Sequence, residues 1–277
     1  MKKAIVFMIF STLSFAIMNA LVKILEDLPT FQLVFFRSMG SLILATTYIM
    51  YRRIPILGKG KGILMTRALL GLTAMSLFFM STKYLPVGTA VSLRYLSPIF
   101  AAVFAVFILG EKLRAIQYVL FAIAFGGVVL LKGFDTSISM IGLGLIIGAS
   151  IFSGMVYVVL RKIGASENPL VVVNYFMFFG TVIGGLLMLP GWVAPHAQDW
   201  KFLAGLGIFG FFGQLFMTKA FQLARTSMVA PLKYVEVVFT LFIGVVMFSE
   251  KYTFLGLLGI SLIILALVLN AFVKQRA

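Results

Sequence analysis

Ten apolar stretches, each close to the length needed to cross a bilayer, recur along the 277-residue chain with only short polar interruptions between them. A hydrocarbon core of about 30 Å takes about 20 helical residues to cross. The chain therefore has room for about ten closely spaced passes and for no sizeable soluble domain. In the first half the stretches lie near Ala4 to Ile24, Phe31 to Tyr51, Ile63 to Lys83, Val87 to Leu109 and Ala115 to Lys132. In the second they lie near Ser139 to Leu160, Asn168 to Pro190, Lys201 to Leu223, Met228 to Phe248 and Thr253 to Phe272. Hydrophobic residues make up 62% of the chain and charged residues 11%, too little polar sequence to coat a water-soluble globule. The expected fold is all-α and integral to the membrane, with any function inside the helix bundle.

The formal net charge of +15 does not point to nucleic acid, because the basic residues fall mostly in short segments between apolar runs. There they orient helices and meet anionic lipid, so the bilayer is the expected partner and nucleic acid is not. With the N-terminus inside, the inner ends collect fourteen basic residues, among them Lys2, Lys3, Arg52, Arg53, Arg67, Arg161 and Lys274, against five outside: Lys23, Lys83, Lys132, Lys201 and Lys251. That bias predicts an inner-membrane protein with both termini cytoplasmic and an even number of passes. Met1-Lys2-Lys3 and the following apolar run imitate a signal peptide, but the run continues to Ile24 without a small-residue cleavage site and reads as a signal anchor. The chain has no cysteine and a single histidine, His196, so neither a disulfide nor a thiolate metal site is expected. No cofactor-binding motif, Walker loop or nucleophile elbow is present, and no metal or cofactor is expected.

Offset by 139 residues, the chain aligns with itself at uncommon polar positions. Leu93-Arg94-Tyr95 falls on Leu232-Lys233-Tyr234 and Glu111-Lys112 on Glu250-Lys251. Ser11, Ser14 and Lys23 fall on Ser150, Ser153 and Lys162. Charged residues recurring in register carry more weight than matches among leucines. The predicted organisation is two five-helix repeats, residues 1–138 and 139–277. Five is odd, so the second repeat enters from the opposite face, and inverted repeats of this kind underlie alternating access.

The order Tyr84-Leu85-Pro86-Val87-Gly88-Thr89-Ala90, then Ser97-Pro98-Ile99, Leu109-Gly110-Glu111-Lys112 and Gly126-Gly127 resembles the drug/metabolite transporter superfamily, in particular its ten-helix EamA-type members. Ala230-Pro231-Leu232-Lys233-Tyr234 and Phe248-Ser249-Glu250-Lys251 echo the pattern in the second half. The resemblance implies a central cavity between the repeats, and transport of metabolites such as amino acids, nucleotide sugars or vitamins. The second half departs from it at Val237, where the first has Pro98, and at Ser249, where the first has Gly110.

Ionisable side chains near mid-bilayer cost at least about 2.5 kcal/mol on insertion scales and so usually face a cavity or a partner. Arg37, Arg94, Lys233 and Glu236 are such residues. Arg94 and Lys233 read as anion-binding groups, with Tyr95 and Tyr234 supplying hydrogen bonds and ring faces. The competing reading is structural. Lys233 and Glu236, three apart, neutralise each other, and Arg37 snorkels to the interface. Glu236 is also a candidate proton carrier. Asn19, Gln214 and Asn174 can bond either a ligand or a neighbouring helix. Pro98 and Pro231 free backbone carbonyls beside Arg94 and Lys233, as helix breaks near binding sites do.

The expected function is secondary transport of a small organic solute with an anionic group, an amino acid or a relative, by a monomer or homodimer. The alternatives are a multidrug or cation exporter of the same superfamily, and an intramembrane enzyme, for which no catalytic constellation is visible.

Overall fold

The apolar stretches become helices wherever a breaker does not intervene. A computed structural model describes residues 2–109, 114–134, 139–163, 166–223, 232–233 and 235–273. Among these the α-helices are α1 (Lys2–Ile24), α2 (Thr30–Tyr51), α3 (Lys61–Ser81), α4 (Val87–Arg94), α5 (Ser97–Leu109), α6 (Ala115–Phe134), α7 (Met140–Ile163), α8 (Pro169–Met188), α9 (Asp199–Leu223), α10 (Val235–Phe248) and α11 (Phe254–Phe272). Seven spans are long and apolar enough to cross a membrane, α4 and α5 counting as one, and the apolar stretches of α6, α10 and α11 are shorter. Together they account for the ten expected passes.

Local chemistry sets the boundaries. Pro29 and Pro86 precede α2 and α4 in extended conformations. Pro169 opens α8 behind Asn168, whose side chain accepts the Leu170 N–H at 3.0 Å. The expected single helix from Val87 to Leu109 is broken at Tyr95-Leu96. In an unbroken helix the Arg94 carbonyl would receive the N–H of residue 98. Pro98 has none, so the turn opens just ahead of it. The expected span from Met228 is also shorter, since α10 begins at Val235, while residues 224–231 and Tyr234 lie outside the described residues. Lys233 occupies a short 3₁₀ turn ahead of α10. Both helices that follow the Arg94 and Lys233 positions thus start within a residue or two of the same register, although only α5 carries a proline in its first turn.

Packing follows a pseudo-twofold relation. Under the 139-residue offset α1, α2, α3, α5 and α6 correspond to α7, α8, α9, α10 and α11. α1 packs on α9 and α7 on α3, α2 on α9 and α8 on α3, and α5 on α7 and α10 on α1. α2 packs on its own counterpart α8, and α6 on α11. Most of the core therefore lies between the repeats. A Cβ on Gly40 would sit 2.8 Å from the Cα of Gly207, so α2 and α9 touch backbone to backbone at this crossing. Large apolar side chains such as Ile43, Phe107, Phe242 and Val246 are exposed around the outside, the surface that lipid would cover.

Side chains and backbone groups close the helix ends across the repeat boundary. Glu250, just past α10, accepts the N–H of Val87 at the start of α4 at 2.8 Å and a hydrogen bond from Tyr252. Glu250 thereby fastens the start of a helix that belongs to the other repeat. Its counterpart Glu111 lies outside the described residues. Glu167 accepts the N–H of Gly60 ahead of α3 at 2.5 Å. Gln32 exchanges two hydrogen bonds with the Val193 backbone.

Candidate functional site

A cavity of about 170 Å³ lies where α1, α2, α3, α4, α5, α7, α8, α9 and α10 converge. Six pairs of its lining residues are exact counterparts under the 139-residue offset: Met18 and Tyr157, Arg37 and Phe176, Met75 and Gln214, Phe78 and Met217, Arg94 and Lys233, Ser97 and Glu236. The cavity therefore sits on the pseudo-twofold relation between the repeats. Its walls are chemically unequal, however, because arginine faces phenylalanine and serine faces glutamate across that relation.

At one end the break between α4 and α5 places Arg94 and Tyr95 opposite the first turn of α10. Arg94 Nη2 lies 2.6 Å from Glu236 Oε1. Asn19 Nδ2 donates to the same oxygen at 3.0 Å, and the Tyr95 hydroxyl lies 2.8 Å from Oε2 and 2.7 Å from the Lys233 carbonyl. Glu236 is only 1% exposed, so this charge is held by three donors from α1 and the α4 break. The Arg94 guanidinium also covers the Phe78 ring at 4.2 Å. Lys233 Nζ stands 5.8 Å from the centre of the Tyr157 ring.

The other end is built around Phe176 of α8. Arg37 of α2 reaches it at 5.5 Å and Arg67 of α3 at 4.4 Å, both measured to the ring centre. Arg37 is 3% exposed and its nitrogens touch the sulfurs of Met18 (3.4 Å), Met75 and Met177 (3.9 Å). Thioethers are weak acceptors and carry no charge, so they leave the guanidinium uncompensated. Arg67 is 6% exposed, and its Nε and Nη1 are buried without a hydrogen-bond partner. Two glycines make room for these groups. A Cβ on Gly71 would lie 3.2 Å from the Phe176 ring, and one on its counterpart Gly210 would lie 3.4 Å from Arg37 Cγ and Nε.

Most of the residues expected at the site converge there. Arg94, Tyr95, Lys233, Glu236, Arg37 and Gln214 line the cavity. Asn19 stands behind Glu236 as its hydrogen-bond donor, and Tyr234 lies outside the described residues. The ion pair of Glu236 is with Arg94, 142 residues away, and not with neighbouring Lys233. Arg37 points inward and does not snorkel. Asn174 bonds Thr46 on α2 at 2.9 Å, a helix-to-helix use. Arg67, an inner-end topology signal in the sequence, also lines the cavity, a role that sequence reasoning does not reach. Its position six residues into α3 was the available signal.

Among the described residues the cavity thus holds four cationic side chains, Arg37, Arg67, Arg94 and Lys233, against the single carboxylate of Glu236. No group of histidine, cysteine or acidic side chains able to hold a metal occurs among the described residues.

The chain is 28% identical over 274 residues to the pseudopaline exporter CntI of Pseudomonas aeruginosa, covering 97% of this chain and 95% of that protein. It is 28% identical to human solute carrier family 35 member G1, with 88% of this chain and 72% of the relative covered. The S-adenosylmethionine uptake transporter of Rickettsia prowazekii is 28% identical over 80% of this chain and 76% of its own length. A solved crystal structure superposes with a TM-score of 0.73 at 17% identity, over 99% of this chain and 97% of that one, and shows the same fold. The model of the EamA-like transporter family matches twice, over residues 2–132 and 140–272. This multi-pass membrane protein, a transporter of small molecules, belongs to the EamA-like transporter family.

Proposed function

We propose that the protein is a secondary transporter that moves a small organic metabolite with an anionic group, an amino acid or a related compound, across the inner membrane by alternating access. The observation that carries this reading is the cavity itself, lined by six repeat-related pairs and by four cations against one carboxylate. Two repeats, residues 1–138 and 139–277, inserted in opposite senses would offer the cavity to each side in turn. Charge at low dielectric favours an oxyanion and disfavours the cationic drugs that a multidrug exporter would carry. A volume of about 170 Å³ is small beside the roughly 300 to 1,000 Å³ common for drug-sized ligands. Substrate contacts are assigned to Arg94, Tyr95, Lys233, Tyr234, Glu236, Arg37 and Gln214, with Asn19 holding Glu236. One relative is named for export and another for uptake, so the family accommodates both directions.

A metabolite-panel screen for thermal stabilisation of the purified protein, followed by counterflow in proteoliposomes, tests the reading. Stabilisation and flux of anion-bearing solutes are expected. A panel in which only organic cations bind and move would overturn it.

Glu236 supports a second element, proton coupling. A carboxylate 1% exposed and held by Arg94, Tyr95 and Asn19 is released only when those donors turn to substrate, the moment at which it can take a proton. Flux of the identified solute should then respond to a pH gradient, and Glu236→Gln should abolish that response. Flux indifferent to both would remove coupling from the account.

The basic residues at the inner helix ends support a cytoplasmic position for both termini. The absence of native cysteine makes a single Lys59→Cys an unambiguous reporter. It should resist membrane-impermeant thiol reagents in intact cells and react once the membrane is opened. Labelling in intact cells would reverse the orientation.

A further inference from the structure

We propose that Arg37 and Arg67, on either side of Phe176, form a second oxyanion subsite, so that the solute carries two anionic groups, one taken here and one at Arg94 and Lys233. The inference rests on the transport reading above and narrows its substrate class to dicarboxylates and their phosphorylated equivalents.

Three observations support it. Arg67 lines the cavity, is 94% buried by the complement of its 6% exposure, and leaves Nε and Nη1 with no hydrogen-bond partner. A buried guanidinium with open donors is costly unless an acceptor arrives. Second, Arg37 is surrounded by sulfur and an aromatic ring, none of which balances its charge, and it lies within electrostatic reach of both Arg67 and Arg94. Both neighbours repel the Arg37 guanidinium in a setting of low dielectric, and an anion held between Arg37 and Arg67 would relieve that repulsion. Third, Glu236, the one carboxylate among the described lining residues, is engaged by Arg94, Tyr95 and Asn19, so it does not serve the Arg37 and Arg67 end.

The geometry is prepared for a ligand. The Arg67 guanidinium lies over the Phe176 ring at 4.4 Å, and Gly71 lets that ring sit close to α3, since a Cβ there would approach the ring to 3.2 Å. A planar guanidinium so held presents a fork to carboxylate or phosphate oxygens, which is the arrangement in which arginine outperforms lysine. Two subsites in one cavity also give a length requirement, because a solute must reach both cationic ends.

The test uses purified full-length protein in detergent, with thermal midpoint read against acetate, inorganic phosphate, and a series of α,ω-dicarboxylates of increasing chain length at equal ionic strength. Dicarboxylates of one favoured length should half-saturate the shift at concentrations at least roughly tenfold below acetate. Arg67→Gln should lose that advantage and bind the favoured dicarboxylate no better than acetate, while Arg67→Lys, which keeps charge without the fork, should retain part of it. A preference for inorganic phosphate over dicarboxylates, lost in Arg67→Gln and partly kept in Arg67→Lys, would assign the subsite to phosphoryl groups. If wild type binds acetate and the dicarboxylates alike, or if Arg67→Gln keeps the full advantage, the second subsite is wrong while single-anion transport stands. If none of these anions shifts the midpoint of wild type, the second subsite is wrong, while the transport reading stands or falls with the metabolite panel.

Discussion

Arg94 and Glu236, contributed by opposite repeats and separated by 142 positions in sequence, meet at 2.6 Å where the α4 break faces the first turn of α10. Tyr95 and Asn19 close on the same carboxylate, so the pair joins α1, the α4 break and α10 at the end of the cavity. Under the alternating access proposed above, a contact of this kind between repeats would be remade in each cycle.

Removing one partner should therefore cost stability as well as flux. Glu236→Ala leaves a guanidinium without its counter-ion, and breaking a buried pair costs about 3 to 5 kcal/mol. Because the Arg94 side chain is 23% exposed, the lower end, about 3 kcal/mol, is expected. Thermal unfolding in detergent should show this loss, and Arg94→Ala combined with Glu236→Ala should cost less than the sum of the singles. Additive losses would mean that the pair carries no coupling energy.

The pass count, the break near Arg94 and the inward-facing charges were legible because each has a local cause: an apolar run, a proline, an ionisable group too costly to leave in lipid. The partner of Glu236 was not legible. Spacing along one helix points to Lys233, whereas Arg94 arrives only through the packing of one repeat on the other. Arg67 was read as a topology signal because charges near helix ends usually snorkel. It turns inward instead, over Phe176, and its depth of six residues into α3 is the one local mark of that choice. The counterpart relation between Arg37 and Phe176 was present in the offset, but a match of unlike residues leaves no trace in a search for identities.

Ser249 follows α10 with φ of 51°, in the left-handed region that glycine occupies most easily, and its counterpart in the first repeat is Gly110. Ser249→Gly should raise stability by about 1 kcal/mol, and Ser249→Val should lower it by at least as much. Parallel thermal midpoints of the two variants check the sign. A gain for valine would contradict the assigned backbone conformation.

Gly40 and Gly207 set the approach of α2 to α9. A Cβ on either would lie 2.7 to 2.8 Å from the other's Cα, and backbone cannot rotate away as a flexible side chain can. Gly207→Ala is expected to cost about 1 to 3 kcal/mol through forced separation of the helices. Gly144→Ala, at a position with nothing within 4 Å of the added carbon, serves as the neutral control.

Tyr252, between α10 and α11, has its pKa raised above the ordinary 10.0, first by burial and then by its bond to Glu250 and that carboxylate's charge. The folded protein holds this proton more tightly than the unfolded chain does. Its stabilisation is complete below about pH 10 and is lost as pH climbs above that value. Thermal midpoints followed from about pH 8 to about pH 11 should fall more steeply for wild type than for Tyr252→Phe, which has no proton to lose. Identical slopes would remove the linkage.

The central claim, that cations in the cavity between the repeats carry an anion-bearing solute, meets its most direct test in counterflow. Proteoliposomes would be loaded with the solute that best stabilises the purified protein, and uptake of labelled solute compared for wild type, Arg94→Ala, Lys233→Ala and the double variant at matched protein levels. The account predicts robust counterflow in wild type, a large loss in each single variant and near-background uptake in the double. Wild-type counterflow retained in full by the double variant would contradict it.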